Sequence, residues 1–180
     1  MQCAIKRIVL MAVLTLAPSP WVFGATPHST ADPASFLEHA AAGQQSEIDL
    51  GQLAIRKAAD EQVKQFGARM VTDHQKAQQE IRHLASKEGL QLHPQPSEPQ
   101  KYVKARLSQL SGKEFDHAYI TTMLQEHAQE LKELGTQSRI EKNPEEVRQW
   151  AASALPVVEE HLAKAKTIAS SLGIGTAQAQ

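Results

Sequence analysis

Cysteine is nearly absent from this chain of 180 residues: the single one is Cys3. One thiol cannot form an internal disulfide or a thiolate-rich metal site, and the lack of a Cys-x-x-Cys-His motif excludes covalently attached heme. Aromatic residues make up only 4% of the chain. The formal net charge of −1 argues against a protein that binds nucleic acid through phosphate attraction. Histidine, by contrast, occurs eight times, as often as Phe, Trp and Tyr together.

The amino-terminal residues have the pattern of a secretory signal peptide. Lys6 and Arg7 precede an apolar run over residues 8–16 that is too short to span a bilayer, and the small residues Gly24 and Ala25 follow. We therefore expect a signal peptide over residues 1–25, a leader over 26–31, and export to the periplasm. No second long apolar run exists, so we expect no transmembrane segment in the mature chain.

Helix start and stop signals divide the remainder into four long helices and a tail over residues 173–180. Asp32 and Asp60 are predicted N-caps, and Ser111 with Glu114 forms a predicted capping box. Gly89 is a predicted helix end. The predicted long helices cover about residues 32–59, 60–88, 111–141 and 143–171.

The predicted fold is an all-α, ferritin-like four-helix bundle over residues 32–172. Two short turns make two antiparallel hairpins, joined by a connection of about 20 residues between helices two and three. Three prolines interrupt this connection, and residues 102–110 are a candidate short helix. The connection is long enough to cross the length of the bundle, which is the ferritin-like topology. A simple up-down-up-down bundle is the alternative.

One ionisable residue lies near the middle of the apolar stripe of each long helix. At 100° per residue, these residues occupy positions that belong to the bundle core. They are Glu47, His74, His127 and His161. Imidazole and carboxylate ligands suit a divalent transition metal such as Zn, Fe, Mn, Cu or Ni. Gly43 and Gly51, one turn to either side of Glu47, are expected to leave room for an ion.

Several acids could orient these ligands by hydrogen bonding to them. Asp73, Glu126 and Glu160 each precede one of the three core histidines. Asp116 lies on the stripe near a helix start, where bonding to Tyr119 or to the first turn is an alternative role. The other three acids could equally be ordinary solvated carboxylates.

Other interpretations of this layer remain open. A buried polar layer can fix the register of a bundle without binding anything, and the stripe assignment itself could be wrong. Glu-x-x-His spacings at Glu80 and Glu114 do not predict a di-iron centre, because His83 should face solvent and Glu114 lies in a capping position. Met70 would allow a His/Met heme, but core methionine usually packs, so heme is not favoured.

Short motifs in a definite order and spacing run from Asp32 to about Ser171. They are Phe36, Glu47-Ile48, Leu50-Gly51-Gln52-Leu53-Ala54, Met70-Val71-Thr72-Asp73-His74, Phe115-Asp116-x-x-Tyr119, Glu126-His127, and Leu155-Pro156 through His161-Leu162. On these motifs the chain resembles the DUF4142 family of exported bacterial proteins, which usually shows Asp-His where this chain has Glu126-His127. The resemblance implies a ferritin-like fold. It also implies an envelope location, since members are often labelled outer-membrane proteins. It implies no established activity.

Two functions follow from the residues. The first is an exported bundle that binds one divalent metal through the four core residues, with a role in metal handling or envelope stress protection. Catalysis would require an open coordination position, and nothing identifies a substrate. The second is a non-enzymatic envelope interaction module whose Glu/His layer only fixes the fold. The sequence identifies no protein partner for either.

Overall fold

The computed structural model describes residues 32–175, which form five α-helices and no strand. The helices are α1 (Pro33–Lys57), α2 (Glu61–Lys87), α3 (Glu98–Ser108), α4 (Gly112–Gln137) and α5 (Glu145–Ser171). The predicted all-α class is therefore confirmed for this part of the chain. The predicted signal peptide over 1–25, the leader over 26–31 and the last five residues of the predicted tail lie outside the described residues.

Local hydrogen bonding explains where the helices begin. Asp32 and Asp60 cap α1 and α2 as predicted, each accepting two backbone N–H bonds. The capping box predicted at Ser111 is wrong, because the Ser111 side chain makes no capping bond. A capping box is found instead at Ser97 and Gln100. It starts α3 four residues earlier than predicted, since a proline is tolerated in the first turn of a helix.

Two apolar clusters at opposite ends of the helices fix the direction of each helix. The first cluster joins the carboxyl-terminal halves of α1 and α5 to the amino-terminal halves of α2 and α4, around residues such as Leu50, Phe66, Tyr119 and Ile168. The second cluster joins the opposite halves, around residues such as Leu37, Ile81, Leu134 and Val147. Helices α2 and α4 therefore run in the same direction. The connection over residues 88–111 returns along the length of the helices.

A close contact between α1 and α2 lies beside the first cluster. A Cβ atom built on Gly51 would lie 2.7 Å from the carbonyl oxygen of Gly67, so the two backbones pack directly against each other. The expectation that Gly51 leaves room beside Glu47 is wrong for this reason. Gly43 does face open space, since a Cβ atom there would meet nothing within 4 Å. Within residues 32–175, no helix combines the length and apolarity that crossing a bilayer requires.

Candidate metal centre

A polar layer separates the two apolar clusters at the middle of the four long helices. Glu47, His74, His127 and His161 all lie in it, and the exposed fractions of these residues are 6%, 3%, 0% and 1%. On every long helix, the first apolar cluster lies to one side of this residue and the second cluster to the other. The helical periodicity therefore identified the buried position correctly in all four cases.

Three of these four side chains converge. One ring nitrogen of each of His74, His127 and His161 lies within 4.8 Å of one from each of the other two. The ring centroids are 5.4 to 5.9 Å apart. Among residues 32–175, this histidine triad is the one group of three or more ligand-type side chains that comes together in this way.

Each imidazole of the triad uses one ring nitrogen to bond its surroundings. The Nδ1 atom of His74 donates to Gln44 Oε1 at 2.7 Å, and Nδ1 of His127 donates to the Met123 carbonyl at 2.9 Å. His161 donates from Nε2 to Asp73 Oδ2 at 2.8 Å. All three acceptors are oxygens, so these bonds place the ring proton on the outer nitrogen and leave the lone pair on the other.

The second nitrogen of each ring is buried without a hydrogen-bond partner in the described part of the chain. These atoms are His74 Nε2, His127 Nε2 and His161 Nδ1. An unpaired buried polar atom costs about 1 to 3 kcal/mol, so a ligand that met all three nitrogens would offset a sizeable cost. A cation that accepts nitrogen lone pairs would do so.

Burial keeps the triad neutral, which is the form that binds metals. It lowers the pKa of His74 well below the ordinary range, with the charges of His127 and His161 adding to the effect. Burial and His161 lower the pKa of His127 to about 4, against the bond to Met123. Burial also lowers the pKa of His161, although Asp73 opposes the shift. All three rings are therefore neutral at neutral pH, each with a single ring proton.

Of the acids predicted to orient ligands, only Asp73 bonds a histidine of the triad. It is also held by Arg69, at 3.1 Å, and Arg69 bridges it to Glu160 at 2.8 Å. Burial raises the pKa of Asp73, but its bonds to His161 and Arg69 outweigh this and lower it overall. Glu160 itself is 59% exposed and bonds Arg69 rather than a histidine.

Asp116 and Glu126 lie elsewhere. Asp116 is buried and accepts the backbone N–H groups of Ala59 and Asp60 at 3.1 and 2.9 Å, so it holds the turn between α1 and α2. Glu126 lies close enough to Glu47 to raise the pKa of that carboxyl, and it bonds no histidine of the triad. Its side chain therefore belongs to a separate group of carboxyls.

Glu47 is not a member of the converging triad. Burial, followed by the charge and hydrogen bond of Glu126 and the charge of Glu130, raises its pKa well above the ordinary range. Its Oε2 atom has no hydrogen-bond partner among residues 32–175. The prediction that Glu47 lies in this layer is correct, but its side chain lies near the carboxyls of Glu126 and Glu130 and not among the three histidines.

A family model described as a domain of unknown function, DUF4142, matches residues 21–168. The chain belongs to the DUF4142 family. No curated protein and no solved structure matched it. The family assignment agrees with the motifs found in the sequence and carries no activity with it.

Two residues that sequence reasoning missed join the two halves of the polar layer in this DUF4142 protein. Gln44 bonds His74 through its oxygen and Glu130 through its nitrogen, the latter at 3.5 Å. Burial raises the pKa of Glu130 to about 7, although the bond from Gln44 opposes the shift. Each lies three residues from a predicted site residue, Gln44 from Glu47 and Glu130 from His127. Helical spacing was therefore a usable signal.

A cavity of about 330 Å³ between α2 and α5 reaches the triad of this DUF4142 protein. His74 and His161 form part of its wall, which also carries the carboxyl groups of Asp73, Glu80 and Glu130 and the cationic side chains of Arg69 and Lys76. His74 and His161 of the buried triad are thus reached from the surface by a passage lined with both acidic and basic side chains.

Proposed function

We propose that this protein binds one divalent transition metal ion through His74 Nε2, His127 Nε2 and His161 Nδ1. The observation that carries the proposal is the convergence of three buried ring nitrogens that lack hydrogen-bond partners in the described residues. The acceptors on the outer nitrogens support it, because metal-binding histidines characteristically donate their second N–H in this way.

The ligand set narrows the choice of metal. Imidazole nitrogen suits Zn, Cu, Fe and Ni better than Mg or Ca. Three protein ligands leave a fourth position to water or to a bound molecule, and a metal so held supplies a Lewis acid. We infer metal handling in the cell envelope as the role, which rests on the predicted signal peptide and periplasmic location. The helix directions support a ferritin-like bundle as the scaffold.

The second candidate is a non-enzymatic envelope module in which the layer only fixes the fold. The bonds from the three outer ring nitrogens to Gln44, Met123 and Asp73 favour it, because they set the position of every ring without a ligand. Under this candidate the protein stays metal-free. The two functions therefore make opposite predictions for one measurement.

Metal analysis of protein purified from the periplasm without a histidine tag tests the proposal. We expect a near-stoichiometric metal content that is lost in His74→Ala and His127→Ala. His83→Ala is the matched control, because His83 is exposed on α2 and outside the triad. Circular dichroism verifies that each variant stays helical.

A thermal melt gives a second readout of the same site. A metal at 100 times its Kd stabilises the folded state by about 2.7 kcal/mol, so the melting temperature should rise. A metal-free protein whose melting temperature ignores added Zn, Mn, Fe and Cu would overturn the proposal and favour the structural layer.

A further inference from the structure

A second cavity, of about 350 Å³, lies between α1, α3 and α4, and it is lined by Glu47 and by no residue of the triad. Four carboxyl groups line it, from Glu47, Glu126, Glu130 and Glu133. Among its lining residues within 32–175, none is lysine or arginine. We call this space the acidic cavity.

Glu47 lies at the most buried end of the acidic cavity. It is 6% exposed, and its Oε2 atom finds no hydrogen-bond donor within residues 32–175. An ionised carboxyl buried in this way is costly unless a cation or a donor meets it. The opposite end is more open, since the Glu133 side chain is 33% exposed and lies 3.8 Å from His39.

The carboxyl groups of the acidic cavity form a row rather than a ring. Glu126, Glu130 and Glu133 follow one another on α4, and seven residues of α-helix span about 10 Å. Unlike the triad, these groups do not converge within 4.8 Å as a set of three in the described residues. A row of carboxyls fits an extended cation better than a single metal ion, because a metal ion needs its ligands around one point.

The remaining walls suit an organic ligand. Phe36 and Trp150 form a tilted aromatic pair with ring centroids 6.0 Å apart, and Val103 of α3 adds an apolar surface. Aromatic faces attract ammonium groups as well as covering apolar carbon. The cavity volume falls within the range of small-molecule sites and is about ten times the volume of one water.

We propose that the acidic cavity binds a linear aliphatic polyamine, with one ammonium group at Glu47 and another towards Glu133. The alkyl chain lies between them along the row of carboxyls on α4, against the aromatic wall. This site is separate from the proposed metal centre, although Gln44, Glu130 and Trp150 contribute to the walls of both cavities.

Calorimetric titration of the full exported chain with spermidine, in the presence of a chelator, tests this proposal. We expect one site whose affinity falls about 10- to 100-fold in Glu47→Gln, the loss of one charge-assisted hydrogen bond. Glu159→Gln is the matched control, because Glu159 is exposed on α5 and lines neither cavity. It should bind spermidine like the wild type.

A second variant blocks the acidic cavity without removing charge. A Cβ atom at Gly43 meets nothing within 4 Å, and Gly43 lines the cavity, so Gly43→Leu fills it while α1 stays intact. We expect Gly43→Leu to abolish spermidine binding with no loss of thermal stability. His127→Ala should still bind spermidine, which separates this site from the metal centre.

Three results would overturn the proposal. The first is no heat of binding with spermidine. The second is binding that survives both Glu47→Gln and Gly43→Leu, which would place it on the acidic surface. The third is displacement of spermidine by equimolar Mg²⁺ or Ca²⁺, which would assign the carboxyls to an inorganic cation.

Discussion

Asp73 differs from the other two acceptors that hold the triad. Gln44 is a neutral amide and Met123 contributes a backbone carbonyl, whereas Asp73 brings a charge from α2 to a ring on α5. A carboxyl on the outer nitrogen raises the basicity of the inner one, so it strengthens a metal bond. At the scale of single residues, Asp73 is therefore the residue with which the affinity of the proposed metal centre can be tuned.

Asp73→Ala should weaken metal binding by 10- to 100-fold, the usual effect of losing such a partner. The free His161 ring would lose its fixed orientation and its preferred tautomer. Competition with a chelating dye measures the change in Kd, and metal stoichiometry should stay at one.

Glu160→Ala is the matched control for Asp73→Ala. Both variants remove a partner of Arg69, but only Asp73 bonds a histidine. Equal losses of affinity in the two variants would attribute the effect to Arg69 and to surface charge, contrary to the role given to Asp73.

Glycine has opposite roles at two positions of α1. Gly51 lies where α1 meets the backbone of α2, whereas Gly43 faces the acidic cavity. The same substitution at these two sites therefore separates helix packing from helix propensity. The difference between the two positions comes from how α1 packs against its surroundings and not from glycine itself.

Gly51→Ala should lower the free energy of unfolding by about 1 to 3 kcal/mol, because the added methyl meets the Gly67 carbonyl at 2.7 Å and forces the helices apart. Gly43→Ala should raise it by up to about 1 kcal/mol, because alanine favours the helix and nothing obstructs it. Urea denaturation of the two variants measures both changes. Destabilisation of similar size in both would contradict the packing argument.

The turn between α1 and α2 depends on a carboxyl from α4. Asp116→Ala should cost about 2 kcal/mol, since it removes the acceptor for two backbone N–H groups at this turn. Glu114→Ala, two residues away on the same helix, should change stability by less than about 0.5 kcal/mol, because Ser111 and Glu114 do not form a capping box. Thermal melts of both variants provide the comparison, and the reverse order would contradict it.

The polar layer could be predicted from helical periodicity, because buried positions recur on one face of a helix every 3.6 residues. His74, His127 and His161 could be placed in the core for this reason, and their shared height followed from the helix lengths. The direction of Glu47 could not be predicted, because a stripe is wide enough for a side chain to turn towards either neighbouring helix. Asp116 was likewise on the stripe, but its partners belong to a turn more than 50 residues away in sequence.

At the scale of the whole molecule, the buried neutral histidines should lower the free energy of unfolding of the metal-free protein as the pH falls. The pKa of folded His127 is about 4 because of burial and the charge of His161, whereas an unfolded histidine titrates near ~6.5. Between these values the unfolded chain binds more protons, so acid favours unfolding. The contribution of His127 to the free energy of unfolding is fully present above about pH 6.5. We expect about 3 kcal/mol of it to be lost as the pH falls to about 4.

The buried carboxyls of the same layer act in the opposite direction. Burial raises the pKa of Glu130 to about 7, so its contribution is complete below about pH 4.5 and is lost as the pH rises to about 7. The two pH windows overlap between about pH 4.5 and 6.5, so the two effects oppose each other there. Denaturant unfolding across this range should show that His127→Leu loses less stability than the wild type as the pH falls, and that Glu130→Gln loses less as the pH rises. If His127→Leu loses stability on acidification as steeply as the wild type does, proton uptake by the buried imidazole is not the cause, because the variant has no imidazole at that position.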